Sequence, residues 1–308
     1  MKTIQQVSYQ GSQDLRIQSV KEPTLTPLSA IVRTKFTPVL PYDWLTEEGK
    51  LQQIRPVQLP ITIGYGFAGI VERVGLLRDK NLIGKRVIGT NPAGANSELI
   101  NSMLPPLLFE VPANVSLAAA ATIIGGADAA YYAVRKINAT SHDTVLITGA
   151  SGGVGVYLIQ FLKRIGATVI ALGHSTNRDF LSQLGADYVI NYENDLSIQL
   201  KELPTVNKVI DTVGSLTLLN QITTHFNELQ LLSLSRPHYS PARPTQKFYF
   251  GQGNIGLNDY KRILTLLETK QLISVIQQVF DYQAVIQAQL ASKNQHSHGR
   301  ILLSYDQS

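Results

Sequence analysis

The chain has no cysteine in 308 residues. That absence excludes disulfides, thiol nucleophiles and any Cys-ligated structural zinc. Charge is also scarce, at 16% of residues, and the Lys and Arg fall in scattered pairs (Lys85-Arg86, Arg135-Lys136, Lys163-Arg164, Lys261-Arg262) without a dense basic run. A formal net charge of +5 spread in this way lacks the clustered patch that tracks a nucleic-acid backbone. No nucleic acid is expected as a partner, whereas a modest positive field suits an anionic cofactor. Long hydrophobic runs are missing too. The most apolar stretch, 117–134, is Ala-rich and broken by Gly125-Gly126 and Asp128, the pattern of a buried helix pair and not of a membrane span. The opening Met1-Lys2-Thr3-Ile4-Gln5-Gln6 lacks the apolar core of a signal peptide. The expectation is a cytoplasmic protein that does not associate with membranes.

What is present is 44% apolar and longer than a single hydrophobic core usually grows, so two lobes are expected. Up to about residue 115, short apolar runs are punctuated by Pro and Gly, the texture of a β-rich lobe, with 30–37 and 68–74 as strands. From about 117 the pattern alternates between helices and short β-branched runs. The runs 144–148, 168–172, 188–191, 208–212 and 230–234 predict parallel strands with crossover helices. After the first of them, Val154, Leu158, Phe161, Leu162 and Ile165 share one helix face, with Gly166 at the position of a C-terminal cap. Past about 254 come one more helix, 259–269, and a return strand, 300–303. The fold class is α/β, a β-rich lobe plus a doubly wound parallel sheet.

Between the run 144–148 and its helix lies Gly149-Ala150-Ser151-Gly152-Gly153-Val154-Gly155. Glycines let the backbone approach a pyrophosphate closely, and free N–H groups with the helix dipole hold its charge. The same residues satisfy GxSxG, which would make Ser151 the nucleophile of a strand-to-helix elbow, with Asp211 and His296 or His298 as partners. They also match TGxxxGxG, whose chemistry needs a downstream Tyr-x-x-x-Lys; the pair Tyr132 and Lys136 precedes the turn. An NAD-binding unit places an acid at the end of its second strand to accept the ribose 2′-OH. Here that strand runs into Gly173-His174-Ser175-Thr176-Asn177-Arg178, with no acid before Asp179. Small and hydroxyl residues followed by Arg178 suit a 2′-phosphate and predict NADPH over NADH.

In these segments the chain resembles the zinc-independent quinone oxidoreductase-like branch of the medium-chain dehydrogenase/reductase superfamily. The resemblance rests on Leu40-Pro41-Tyr42-Asp43-Trp44, on Gly64-Tyr65-Gly66-Phe67-Ala68-Gly69 with Val74-Gly75, and on Gly84-Lys85-Arg86-Val87. It continues through Ala129-Ala130-Tyr131-Tyr132-Ala133, the glycine turn, Leu184-Gly185-Ala186-Asp187, Asp211-Thr212-Val213-Gly214 and Gly299-Arg300-Ile301-Leu302-Leu303. It implies a GroES-like substrate lobe from residues 1–120 and 254–308 flanking a Rossmann lobe, 121–253, with the active site between them. Zinc-dependent relatives place metal ligands where Leu40, Tyr65 and Gly66 stand, so no metal is expected.

The resemblance further implies NADPH-dependent reduction of a small quinone or α,β-unsaturated carbonyl, by a chain that acts as a homodimer. Ser151, Gly152, Gly153 and Val154 would hold the pyrophosphate. Gly173, His174, Ser175, Arg178 and Tyr192 would surround the adenosine ribose and its phosphate. Val213, Gly214 and Ser235 would lie along the nicotinamide half. Three departures stand out: Leu40 where many relatives have Asn, Leu45 where some have Tyr, and Ala129 where Thr is common. Tyr42 and Tyr65 remain as phenols that could orient a carbonyl oxygen or deliver a proton. The Pro-rich segment 236–244 is a candidate lid. An NADPH-binding redox sensor without useful turnover is the competing expectation.

Overall fold

The computed structural model describes residues 1–53, 56–103, 108–251 and 253–306. They form two compact units, one of Met1–Gly125, Asn258–Gln295 and Arg300–Ser308, the other of Gly126–Leu257 and His296–Gly299. The segment 254–308, assigned above to the first lobe as a whole, thus contributes residues 254–257 and His296–Gly299 to the second unit, and residues 121–125, assigned to the second lobe, fall in the first.

The first unit contains β1 (Lys2–Gln6), β2 (Leu15–Ser19), β3 (Ala30–Val39), α1 (Pro41–Glu47), β4 (Ile61–Thr62), β5 (Gly66–Val74), β6 (Arg86–Thr90), β7 (Leu99–Ser102), β8 (Phe109–Glu110) and α2 (Leu117–Ala121). A small sheet runs β2-β1-β4, and the main sheet includes β3-β5-β6-β8 with β7 also on β3. The close weave has a steric reason: a Cβ on Gly69 would lie 2.3 Å from the Arg33 carbonyl oxygen, so only glycine lets β5 cross β3 there. Ala30, Val32, Phe67, Val71, Val87 and Ile100 fill the core behind this sheet.

The second unit begins with α3 (Asp128–Lys136) and continues with β9 (Thr144–Thr148), α4 (Gly155–Arg164), β10 (Thr168–Gly173), α5 (Arg178–Gln183), β11 (Tyr188–Asn191), α6 (Leu196–Lys201), β12 (Lys208–Asp211), α7 (Leu216–His225), β13 (Gln230–Ser233) and β14 (Lys247–Phe250). The sheet order is β11-β10-β9-β12-β13-β14 with every pair parallel. Helices on both faces bury the strands, which is why they read as unbroken apolar runs and not as alternation. β14, Lys247-Phe248-Tyr249-Phe250, lies at the end of the sheet and alternates exposed and half-buried residues, so it lacks the unbroken apolar run of the inner strands. The chain then returns to the first unit through α8 (Leu257–Glu268), β15 (Ile276–Asp281), α9 (Val285–Asn294) and β16 (Arg300–Ser304), which pairs with β3. Among the described residues no helix is long and apolar enough to cross a membrane.

Candidate functional site

The order of the parallel sheet reverses direction between β9 and β12, and ligands of open α/β sheets bind outside the carboxyl ends of such strands. The glycine turn stands there. Gly149 has φ +65°, and a Cβ on it would lie 2.5 Å from Thr212 Oγ1. A Cβ on Gly155 would lie 2.3 Å from the Gly149 carbonyl oxygen, so α4 can start hard against the turn only without a side chain. The N–H group of Val154 has no intramolecular acceptor among the described residues. It sits at the start of a ten-residue helix whose dipole favours negative charge.

A second chain segment closes on this turn. Gly299 N donates to the Ser151 carbonyl oxygen at 2.7 Å, Gly152 and Gly299 form a parallel bridge, and Ser151 Oγ lies 3.4 Å from Ser297 Oγ. Asn177 holds the same segment, donating from Nδ2 to the Ser297 carbonyl oxygen at 3.3 Å while its Oδ1 lies 2.9 Å from His298 Nδ1. His298 stacks on Phe180 at 3.8 Å. These contacts overturn the elbow alternative. Asp211 is occupied by Thr148 Oγ1 at 2.6 Å, by Ser233 Oγ and by the N–H groups of Val213 and Gly214. Ser151 has a serine and not a histidine beside it, so no Ser-His-Asp relay is assembled.

Beyond β10, Gly173, His174 and Ser175 meet residues that local reading did not connect to them. Thr176 N donates to His174 Nδ1 at 3.3 Å, and Thr176 Oγ1 lies 2.8 Å from the same nitrogen. His174 Nε2 is 3.1 Å from Glu193 Oε1, and Ser175 N donates to Glu193 Oε2 at 2.6 Å. An acid therefore does stand at the end of the second strand, supplied from the end of the third. Bonds from Ser175 hold the Glu193 carboxyl below its usual range, helped by the nearby His174 and His296. His296 stacks on His174 with centroids 3.8 Å apart, and its Nδ1 lies 3.1 Å from the Tyr192 hydroxyl. Burial and then Glu193 push the Tyr192 phenol up. Arg178 opens α5 as an exposed residue whose N–H donates to the Ser175 carbonyl oxygen and whose side chain has no hydrogen bond or ion pair among the described residues.

At the ends of β12 and β13, Val213 is exposed, Gly214 has φ +77°, and Ser235 Oγ donates to the Thr212 carbonyl oxygen at 2.7 Å. The segment 236–244 is tied down. The Tyr239 hydroxyl lies 2.7 Å from Thr223 Oγ1, and Arg243 donates to the Thr224 carbonyl oxygen, both partners on α7.

In the first unit Tyr42 and Tyr65 meet edge to face, 6.3 Å apart at 84°. Asp43 fixes the start of α1 by accepting from Leu40 N at 2.9 Å. Gly125 has φ +68°, and a Cβ there would lie 2.8 Å from Leu40 Cδ1 and 2.9 Å from Tyr65 Oη. Arg300 donates to the carbonyl oxygens of Val39 and Gly125, fastening the same corner. Leu40, Tyr65 and Gly66 together offer one phenol as a donor, which does not fit zinc.

The family model described as zinc-binding dehydrogenase matches residues 153–228, inside the second unit. The chain is 29% identical over 218 residues to 2-methylene-furan-3-one reductase of Solanum lycopersicum, covering 66% of this chain and 55% of that protein. It is 32% identical over 165 residues to quinone oxidoreductase 1 of Escherichia coli (strain K12), covering 52% and 50%. The chain spans less than two thirds of the length of these curated relatives. The solved structure of the quinone oxidoreductase from Coxiella burnetii superposes with a TM-score of 0.84 over 99% of both chains at 22% identity, a likeness of fold. A doubly wound parallel sheet with a glycine turn at its carboxyl edge, joined in one chain to an antiparallel β unit, is the architecture of a medium-chain dehydrogenase/reductase. In sequence the chain is similar to members of the quinone oxidoreductase-like branch of that superfamily.

Proposed function

We propose that the chain is an NADPH-dependent, metal-free oxidoreductase acting on a small quinone or α,β-unsaturated carbonyl. The observation that carries this reading is the glycine turn at the carboxyl edge of the sheet, with the free N–H of Val154 at the start of α4. Ser151 to Val154 would hold the pyrophosphate. Gly173, His174, Ser175, Arg178 and Tyr192 would take the adenosine ribose and its 2′-phosphate, and Val213, Gly214 and Ser235 the nicotinamide half. When bound, NADPH supplies a hydride from its dihydronicotinamide ring to an electron-poor carbon. The chain's own work is to position both partners and to bring a proton to the oxygen that gains charge. Tyr42 and Tyr65 are the phenols assigned to that oxygen. Relatives named for reduction of a 2-methylene-furan-3-one and of a quinone support the acceptor class.

Steady-state oxidation of NADPH against a panel of small quinones and enones tests the reading. Turnover with NADPH, unaffected by prior dialysis against a chelator, is the expected result. Tight NADPH binding without turnover on any acceptor would identify a redox sensor instead. Tyr42→Phe is expected to lower kcat by about 10²-fold, and unchanged turnover would remove Tyr42 from the mechanism.

A further inference from the structure

We propose that His296 joins His174 as the determinant of NADPH over NADH, and that the pair recognises the 2′-phosphate by taking up protons while Glu193 gives way. The inference rests on the reading above that the adenosine end of the cofactor lies beyond β10. The two imidazoles are 122 positions apart in sequence: one follows β10, the other rides on His296–Gly299, and their rings stack at 3.8 Å. Face-to-face imidazolium ions repel, so charging both requires an anion that touches both.

Glu193 now fills the role of that anion, and only partly. Its two oxygens reach Ser175 N and His174 Nε2, which are a backbone N–H and an imidazole donor of the kind a phosphate uses. It is exposed on the loop after β11, so it can leave without unpacking the core. Neither histidine loses a partner on protonation. His174 accepts from Thr176 N as the neutral ring, and as the cation it can donate from Nδ1 to Thr176 Oγ1 at 2.8 Å. Tyr192 can donate its hydroxyl hydrogen to neutral His296 or accept from the charged ring, at 3.1 Å. A 2′-phosphate carries close to two charges above pH 6.5 against one on the carboxylate. Exchanging Glu193 for it favours the doubly charged pair.

The ionisable groups around the pair are Tyr192 and Glu193 after β11, His298 on the returning segment, and Arg178 and Asp179 at the start of α5. Between pH 6.5 and 8.0 carboxylates and guanidinium keep their charge, and histidine is the side chain that titrates. NADPH affinity should therefore rise as pH falls across this window. NADH presents a hydroxyl that Glu193 itself can accept from, so its affinity should stay level.

Fluorescence titration of the intact protein with NADPH and NADH at pH 6.5 and 8.0 tests this. In the wild type the ratio of NADH Kd to NADPH Kd is expected to be about fivefold or more larger at pH 6.5, within the tenfold per pH unit that uptake of one proton allows. His174→Gln and His296→Gln should each flatten that dependence, with an unchanged circular dichroism spectrum reporting that the variants are folded. Glu193→Gln should tighten NADPH at pH 8.0, where the wild type must displace a carboxylate. A wild-type ratio that is the same at both pH values overturns the inference and leaves the proposed function standing. A dependence retained in both histidine variants overturns it equally. Failure to bind either dinucleotide defeats the parent reading and this inference with it.

Discussion

Glu47 closes α1 fully buried, and neither of its carboxylate oxygens has a hydrogen-bond partner among the described residues. Burial first, then the nearby Asp43 and Glu48, push its pKa from 4.5 up to about 8. In the unfolded chain it ionises near 4.5, so between there and about 8 the folded chain alone keeps the proton. Its contribution to stability is complete below pH 4.5 and is lost as the pH rises through 8. The ceiling of that loss is on the order of 5 kcal/mol. Urea unfolding at pH 5 and pH 8 should show the wild type weakening as pH rises and Glu47→Gln largely free of that slope. An unaltered slope in the variant would mean that the carboxyl is solvated in solution. Nothing in Asp43-Trp44-Leu45-Thr46-Glu47 marks the last residue as buried, because helical spacing does not say which face meets α9.

At the scale of elements, the parallel sheet is pinned where β9 and β12 begin. Asp143 accepts from Thr140 N at 2.6 Å, Thr140 Oγ1 at 2.8 Å, Asn207 Nδ2 at 2.8 Å and Lys208 Nζ at 2.9 Å. Burial alone would raise its pKa, but the bonds from Lys208, Thr140 and Asn207 outweigh it and bring the group to about 2. This stability is present above pH 3.8 and fades as pH falls towards 2. The side chains of Lys208 and Asp143 are 10% and 8% exposed, so removing one partner strands the other's charge. Lys208→Met is expected to cost about 3–5 kcal/mol, read as a lower urea midpoint. A loss below 1 kcal/mol would mean water replaces the ammonium. The apolar runs that form the two strands are plain in the sequence, yet the ion pair at their base joins residues 65 apart and no local pattern announces it.

For the molecule as a whole, the candidate cofactor site belongs to the second unit alone, from the turn at 149–155 to the segment His296–Gly299. A ligand that binds only the folded state stabilises it by RT ln(1 + [L]/Kd), or about 2.7 kcal/mol at a hundred times Kd. NADPH at that excess should raise the thermal midpoint by several degrees, and no rise would argue against a site there. The expected homodimer predicts a sedimenting species of twice the chain mass; a monomer at tens of micromolar would count against it.

Short-range pattern was enough for the α/β class, five of the six parallel strands and the glycine turn, because a strand's burial, a positive φ and a helix start are set by residues within one or two turns of chain. It also supplied Ser151 to Val154, Gly173 to Ser175 and Tyr192 as a consistent set. Tertiary structure alone decided what surrounds them. The sequence after β10 reads as free of acid, yet Glu193 comes in from the next strand, and His296, remote in sequence, stacks on His174. The physical reason is that a parallel sheet brings the carboxyl ends of distant strands to one edge, so the charges that meet a ligand there are chosen by topology and not by neighbouring residues.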